Sequence, residues 1–427
     1  MNTLFVRCWP LLLLFSSSLA SAGGTWLQCG NVVDVEQGRI DGAATLIIED
    51  GVIAGIRSGI QTPDQGIETI DLSHLTCLPG LMDMHTHLTS ESSPSRYLDR
   101  FTENEADVAL QSTEYARETL LAGFTTVRDL GDRFNASIAL RDAINSGIIV
   151  GPRIYTSGKS LATTGGHADP TNSWRADLMG NPGPREGVLN GVAEAREAVR
   201  QRYKDGADLI KITATGGVLS VAKNGLNPQF TEDEIEAVIE TAADYEMHVA
   251  AHAHGVEGMR RAILAGIHSI EHGTMMNDDI IALMIEHEVW YVPTISAGQF
   301  VAEKAEVDGF YPEVIRPKAR LIGPLIQDTF SRAHAAGVKI AFGTDCGVCY
   351  HGDNAREFEF MVEAGMNEAE ALRTATIHTA ELLGIEQLAG TLETGKWADV
   401  IAVAGNPLES ISTLNQIRFV MKEGQVF

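Results

Sequence analysis

Eight short apolar runs alternate with amphipathic helical stretches through the middle of the chain. Each run ends in polar letters: LMDMHTH, GFTTVRDLG, RIYTSG, LIKITATGG, HVAAHAHG, HSIEHG, WYVPTIS and KIAFGTD. Strand then helix, repeated, is the pattern of parallel βα units. The clearest helix start is TEDE at Thr231, a capping box with Glu234 ahead of IEAVIETAADY. Eight units within roughly 300 residues fit a closed (β/α)8 barrel, whose chemistry sits at the C-terminal ends of the strands. A doubly wound open sheet is the alternative, but no Gly-rich dinucleotide fingerprint follows the first strand.

Strand-like pieces flank this middle. LQCGNVVDV, AATLIIEDGVIAGIR and IETIDLSHLTCLPGLMDMH lie before it, and WADVIAVAGNP and IRFVMKEGQVF after it, with turn signals such as Asp50-Gly51. The expected architecture is α/β: a (β/α)8 TIM barrel over 81–390 and a small β-sandwich-like domain built from both ends, 23–80 plus 391–427. Residues 1–22 carry a single Arg7, an apolar run from Trp9 to Phe15, and Ala20-Ser21-Ala22, the layout of a cleaved signal peptide. The alternative, a transmembrane anchor, needs an apolar core of roughly 20 residues, longer than this one. Export to a periplasm or the medium is therefore expected, with no membrane association after the leader is removed.

The formal charge of −25, one unit more negative without Arg7, argues against nucleic acid and anionic lipid as partners. Cys8 leaves with the leader. In an oxidising compartment Cys29 can bridge Cys77, and Cys346 can bridge Cys349; four free thiols are the other possibility.

The fourth run, DLIKITATGG, places Lys211 among residues of a strand buried on both faces. An isolated ammonium there costs several kcal/mol unless it is paired or neutralised. Histidines gather at the other strand ends. In the first run His85 and His87 project to one face, where two imidazoles can meet one metal ion. The fifth run ends with His252 and His254, the sixth with His272, and the eighth with Asp345. Each alone reads as a hydrogen-bonded core histidine or a helix-capping aspartate, but together they suit zinc or a similar divalent ion. Arg128, Asp129, His351 and Asp353 also lie near strand ends, where capping and loop packing account for them.

The ordered set His85-x-His87, Lys211, His252, His272 and Asp345 resembles the binuclear branch of the amidohydrolase superfamily. PGLMDMHTHL, AGFTTVRDLG, TGGH, IKITATGGVLS, AHAHG, SIEHG and GTDCGV with HGDN resemble, more narrowly, the Xaa-Pro dipeptidase, arginine carboxypeptidase and ochratoxin-hydrolysing amidohydrolase group. The resemblance runs from about Gly30 to the C-terminus and is far more specific for the group than for a substrate. It implies two divalent ions, zinc foremost, one held by His85, His87 and Asp345 and the other by His252 and His272. It implies that Lys211 is carboxylated by CO2 and bridges both ions, which resolves the buried-charge problem, because a carbamate is an anion facing two cations. Asp345 and Lys211 then carry the catalysis, and His254 and His167 are candidates for substrate contact or for structural support.

The implied reaction is hydrolysis of the amide to a C-terminal amino acid with a free carboxylate, in a small-molecule amide or a dipeptide. Conversion of ochratoxin A to ochratoxin α and phenylalanine is the nearest such activity, and Xaa-Pro dipeptide hydrolysis is its neighbour. The resemblance also implies a homo-oligomer, up to an octamer. A deaminase or imidazolonepropionase-like enzyme commonly uses one metal and needs no bridging lysine. A barrel kept only as a binding module would be expected to have lost ligands, and all six positions are filled.

Overall fold

The computed structural model describes residues 24–427 apart from 64, 173 and 222–224, so the expected leader lies outside the described residues. The chain opens with β1 (Thr25–Asp34), β2 (Arg39–Asp41), β3 (Ala44–Glu49), β4 (Val52–Ser58) and β5 (Thr69–Pro79). It continues through β6 (Leu81–Thr86), β7 (Phe124–Asp129), β8 (Arg153–Thr156), β9 (Ile210–Thr213), β10 (Val249–Ala253), β11 (Ser269–His272) and β12 (Trp290–Val292). It ends with β13 (Val400–Val403), β14 (Ile417–Lys422) and β15 (Gln425–Val426).

Strands from the two ends of the chain form one eight-stranded sheet in the order β15-β14-β13-β5-β1-β3-β4, with β2 on β1. At the β3–β4 hairpin Asp50 and Gly51 have φ of 50° and 79°, the left-handed pair that a tight two-residue turn requires. That hairpin reaches back to the strand entry at 395–398: Ala398 N–H donates to the Gly51 carbonyl at 2.9 Å and Ile53 N–H to Lys396 at 2.9 Å. The sheet thus rolls onto itself around Leu27, Leu46, Ile53, Val400 and Met421, the sandwich-like arrangement expected from the flanking strands.

β6-β7-β8 and β9 to β12 pair in parallel as two sheets, and three isolated parallel bridges join them into a ring: Leu161 to Ile212, Tyr291 to Ile340 and Thr86 to Cys346. The eight positions expected from the sequence therefore close as a (β/α)8 barrel. The eighth makes a bridge rather than a regular strand. Phe342 turns its N–H outward to the Thr374 carbonyl at 3.0 Å instead of into the ladder, while its own carbonyl accepts from Met84 at 2.9 Å.

Helices pack their apolar stripes against the barrel. Helix Glu232–Ala243 begins where the capping box predicts, with Glu234 accepting from the Thr231 N–H at 2.8 Å, and buries Ile235, Ala237, Val238 and Ala242. Together with Ile210, Ile212, Ala251 and Ile270 of the strands these residues belong to the largest core cluster. Arg153 ties the barrel to the small sheet through Asp399 at 2.9 Å and the Trp397 ring at 3.6 Å. No helix among the described residues is long and apolar enough to cross a membrane.

Both cysteine pairs are bonded, Cys29 to Cys77 and Cys346 to Cys349. Closing a 48-residue separation restricts the unfolded chain, worth about 4 kcal/mol on a chain-entropy account. Cys346–Cys349 spans too short a segment for that and acts locally, closing the turn directly after Asp345. The mature protein should show no alkylatable thiol before reduction and four after it, by mass spectrometry. Any thiol that reacts without reduction would contradict one of the two bonds.

Candidate metal centre

All six residues of β6 are buried, and the two-residue period brings the His85 and His87 rings to one face with centroids 5.4 Å apart. The imidazoles are oriented from behind. His85 Nδ1–H donates to Glu271 Oε2 at 2.9 Å, and His87 Nδ1–H donates to the Gly131 carbonyl at 2.9 Å. A carbonyl only accepts, so the tautomer of His87 is fixed and its Nε2 lone pair faces inward. There His87 Nε2 lies 3.1 Å and His85 Nε2 3.5 Å from Asp345 Oδ1. The ligand atoms of these three side chains all lie within 4.8 Å of one another. Asp345 is itself set by a backbone bond to the His85 carbonyl at 2.7 Å.

Lys211 comes from β9, with Nζ 3.5 Å from His85 Nε2, and is 3% exposed. Burial pulls its ammonium down to about 8, against the raising influence of Glu271 and Asp345. Among the described residues no carboxylate lies within ion-pair distance of it, so the lysine expected from the sequence to need a partner has no direct one. His252 and His272 sit across from it, ring centroids 4.6 Å apart, with His272 5.0 Å from His85. His272 meets the Thr294 hydroxyl through Nδ1 at 2.7 Å, whereas His252 donates through Nε2–H to the Gly216 carbonyl at 3.1 Å and presents Nδ1. Burial holds His85 near 4 and pushes His252 and His272 well below the usual imidazole range, so all three are neutral at pH 7, the form that binds metal. All six candidate ligands from the sequence thus converge. A donor set of imidazoles, a carboxylate and a buried lysine amine, the imidazoles turned inward by outer partners, fits a pair of divalent ions.

The two further candidates also line this site. His167 stacks on His252 at 4.4 Å and meets the Ser220 hydroxyl at 3.1 Å, and His254 bonds the Thr274 hydroxyl at 2.8 Å and lies 5.1 Å from His272. Three non-glycine residues of the site hold left-handed backbone, Asp345 (φ 60°), His272 (φ 70°) and Thr294 (φ 53°). Such strain costs of order 1–3 kcal/mol each and concentrates where geometry is functional.

Sequence reasoning missed the layer beneath. Arg128, which capping and packing appeared to explain, is buried under the centre. It donates to Glu271 Oε1 at 2.8 Å, to Ser269 Oγ at 3.2 Å and to the Met84 carbonyl at 2.7 Å. Glu271 is the shared acceptor of Arg128, Ser269 and His85. Burial opposes its charge, but Arg128 foremost and then His85 hold the carboxyl down at about 2. The available signal was charge: a Glu and an Arg inside the apolar runs SIEH and TVRD must be paired with something. Asp83 has a similar part, accepting from His85 N–H, the Thr344 hydroxyl and Asn354 and so fastening the first strand to the eighth. Asp129, by contrast, accepts from Leu88 N–H, His351 donates to the Ser90 carbonyl, and Asp353 is exposed, roles of local packing as expected.

A cavity of about 1300 Å³ opens over the centre. Its apolar wall comes from Ala297, Gly298 and Val301 of helix Ile295–Lys304, Ile322 and Ile326 of helix Arg316–Ala336, and Val348.

Comparison with known proteins agrees with this geometry. The chain is 34% identical over 407 residues to ochratoxinase of Aspergillus niger, covering 90% of this chain and 82% of that one. It superposes on the solved structure of a Xaa-Pro dipeptidase with methionine bound in the active site at a TM-score of 0.92 and 51% identity, over 95% of this chain and 100% of that one. A prolidase complexed with N-methylphosphonate-L-proline gives a TM-score of 0.86 at 31% identity, over 94% and 99% of the two chains. Residues 76–427 match the model of the amidohydrolase family, and with those relatives spanning nearly its whole length the chain belongs to that family of hydrolytic enzymes.

Proposed function

We propose that this amidohydrolase is a two-metal, exported enzyme that cleaves the amide bond to a C-terminal amino acid bearing a free carboxylate. Ochratoxin A, split to ochratoxin α and phenylalanine, and Xaa-Pro dipeptides are the substrates its relatives suggest. The observation that carries this reading is the buried Lys211, with no carboxylate within ion-pair distance among the described residues, set beside His85 and the His85, His87 and Asp345 cluster. His85, His87 and Asp345 would hold one ion, His252 and His272 the other, and Lys211, carboxylated on Nζ, would supply the anionic group shared between them. A pair of zinc ions bound there acidifies water and polarises a carbonyl.

The chain's own groups do the rest. Asp345 accepts the proton of the attacking water and delivers it to the departing amine nitrogen, so that water adds across the C–N bond and nothing else is consumed. His254 and His167 face the substrate. The apolar wall excludes water from one side of the amide. The buried disulfides suit an oxidising compartment, and the family resemblance supports a homo-oligomeric state.

Purified enzyme loaded with zinc is expected to release phenylalanine from ochratoxin A and from hippuryl-L-phenylalanine, to lose that activity with a chelator and to regain it with zinc. Protein with a full metal complement that hydrolyses no N-acyl amino acid, dipeptide or ochratoxin would sink the reading.

A further inference from the structure

The mouth of the cavity carries a group of cations that the hydrolytic centre does not use. Helix Arg96–Thr102, which follows β6, lines it with Arg96, Tyr97, Asp99 and Arg100, and Arg133 after β7 approaches from the side. The helix is pinned there, because the Tyr97 hydroxyl donates to the Leu219 carbonyl at 3.1 Å in the loop after β9. Arg133 is paired with Glu103 at 3.0 Å. Arg96 donates to the Ser92 hydroxyl at 3.4 Å, and Arg100 lies over the Trp174 ring at 5.7 Å. Among the described residues neither Arg96 nor Arg100 has a carboxylate within ion-pair distance, although the chain carries 57 acidic residues against 32 basic ones. The nearby carboxylates are engaged elsewhere: Asp99 accepts from Ser95, Glu103 from Arg133 and Gln111, and Asp132 from the backbone at Asn135 and Ser137.

Two like charges held together beside a half-buried aromatic ring are unfavourable until an anion joins them. After burial, the neighbours that most depress Arg100 are Arg96 and Arg133. The ring furniture is also particular. Phe101 is 59% exposed and meets Trp174 edge-on at 4.6 Å, so the guanidiniums border an aromatic pair. Guanidinium groups beside an indole suit a planar ligand that bears an anionic oxygen.

Resting on the amide-hydrolase reading, we infer that Arg96, Arg100 and Trp174 form an outer subsite for the acyl end of the substrate, selecting an aromatic acyl group with its own negative charge. The preferred substrates are then doubly anionic. One charge is the free carboxylate of the amino acid near the centre, and the other is a carboxylate or phenolate held at the rim. A cavity of about 1300 Å³ has room for both ends, whereas a simple dipeptide leaves most of it empty.

The test compares N-(4-carboxybenzoyl)-L-phenylalanine with N-benzoyl-L-phenylalanine on zinc-loaded wild type, on Arg96→Gln/Arg100→Gln and on Arg100→Lys. Wild type is expected to prefer the carboxylated acyl group, and the double variant to lose that preference, as a ratio of kcat/KM, by about 10-fold or more, chiefly through KM. Arg100→Lys should keep part of it, and added salt should weaken it. A wild type without preference, or a double variant with the wild-type ratio, overturns the subsite. If wild type cleaves neither compound, nor any other N-acyl amino acid, dipeptide or ochratoxin A, the hydrolytic reading fails instead. The subsite is then judged by calorimetric binding of the same two acids, standing if the double variant loses a wild-type preference for the dianion and falling if no preference exists.

Discussion

Lys211→Ala is expected to lose bound metal and activity together while leaving a folded protein. In the absence of ions the wild-type side chain is a liability: an amine 3% exposed, with no carboxylate within ion-pair distance among the described residues and only His85 Nε2 at 3.5 Å. Removing it deletes a desolvated charge, so the metal-free variant should be as stable as metal-free wild type or more so. The holo comparison runs the other way. On the proposed two-metal reading, the inward imidazoles of His85, His87, His252 and His272 would then lose the anion that offsets two dications, and the His85, His87 and Asp345 cluster would keep its carboxylate. Metal analysis should fall from near two ions per chain toward one or none, and kcat/KM by about 1000-fold or more, the scale on which removing one member of a cooperative catalytic set acts. Lys211→Glu, which puts a carboxylate on a shorter arm, should recover part of the metal. A variant with Ala at 211, wild-type metal content and lost stability would mean that the lysine is purely structural.

Local pattern made the barrel and the gathering of histidines at its strand ends legible, while the choice of six ligands, Lys211 and His252 among them, came from the family resemblance. Alternation alone puts His85 with His87, apolar runs of strand length mark β6 to β12, and the turn letters Asp50-Gly51 adopt the left-handed pair they favour. The misses all depend on which distant segments meet. Glu271 and Arg128 lie 143 residues apart, and only the closed ring brings β11 and β7 to the same point beneath His85. The eighth strand was read as regular because KIAFGTD is apolar and short, yet the outward turn of Phe342 to Thr374 is set by a helix-end loop that no local pattern announces. Likewise, the presentation of Nδ1 rather than Nε2 by His252 follows from the Gly216 carbonyl, a tertiary contact. The cationic rim is a sequence-invisible feature of the same kind, since Arg96 and Arg100 acquire meaning only when Trp174 and Arg133 arrive from other loops.

Arg128→Met should be the most damaging substitution outside the ligand set. It removes the guanidinium paired with Glu271, whose carboxylate is 0% exposed, and among the described residues leaves that charge with the Ser269 hydroxyl and the His85 ring. Breaking one partner out of a buried ion pair costs about 3–5 kcal/mol, more than the loss of the arginine's own contacts would suggest. The same change frees Glu271 to take a proton, and a neutral acid no longer fixes the tautomer of His85, so metal affinity should fall by about 10- to 100-fold. Urea unfolding of the metal-free proteins reads the first effect and metal titration the second. The cycle with Glu271→Gln separates them. In the double variant both buried charges are gone, so most of the stability lost in Arg128→Met should return, with a coupling of about 1–3 kcal/mol. Metal affinity should stay low, because an amide cannot polarise the His85 ring as a carboxylate does. If Arg128→Met unfolds like wild type and binds metal like wild type, the buried pair is packing and His85 is held by β6 alone.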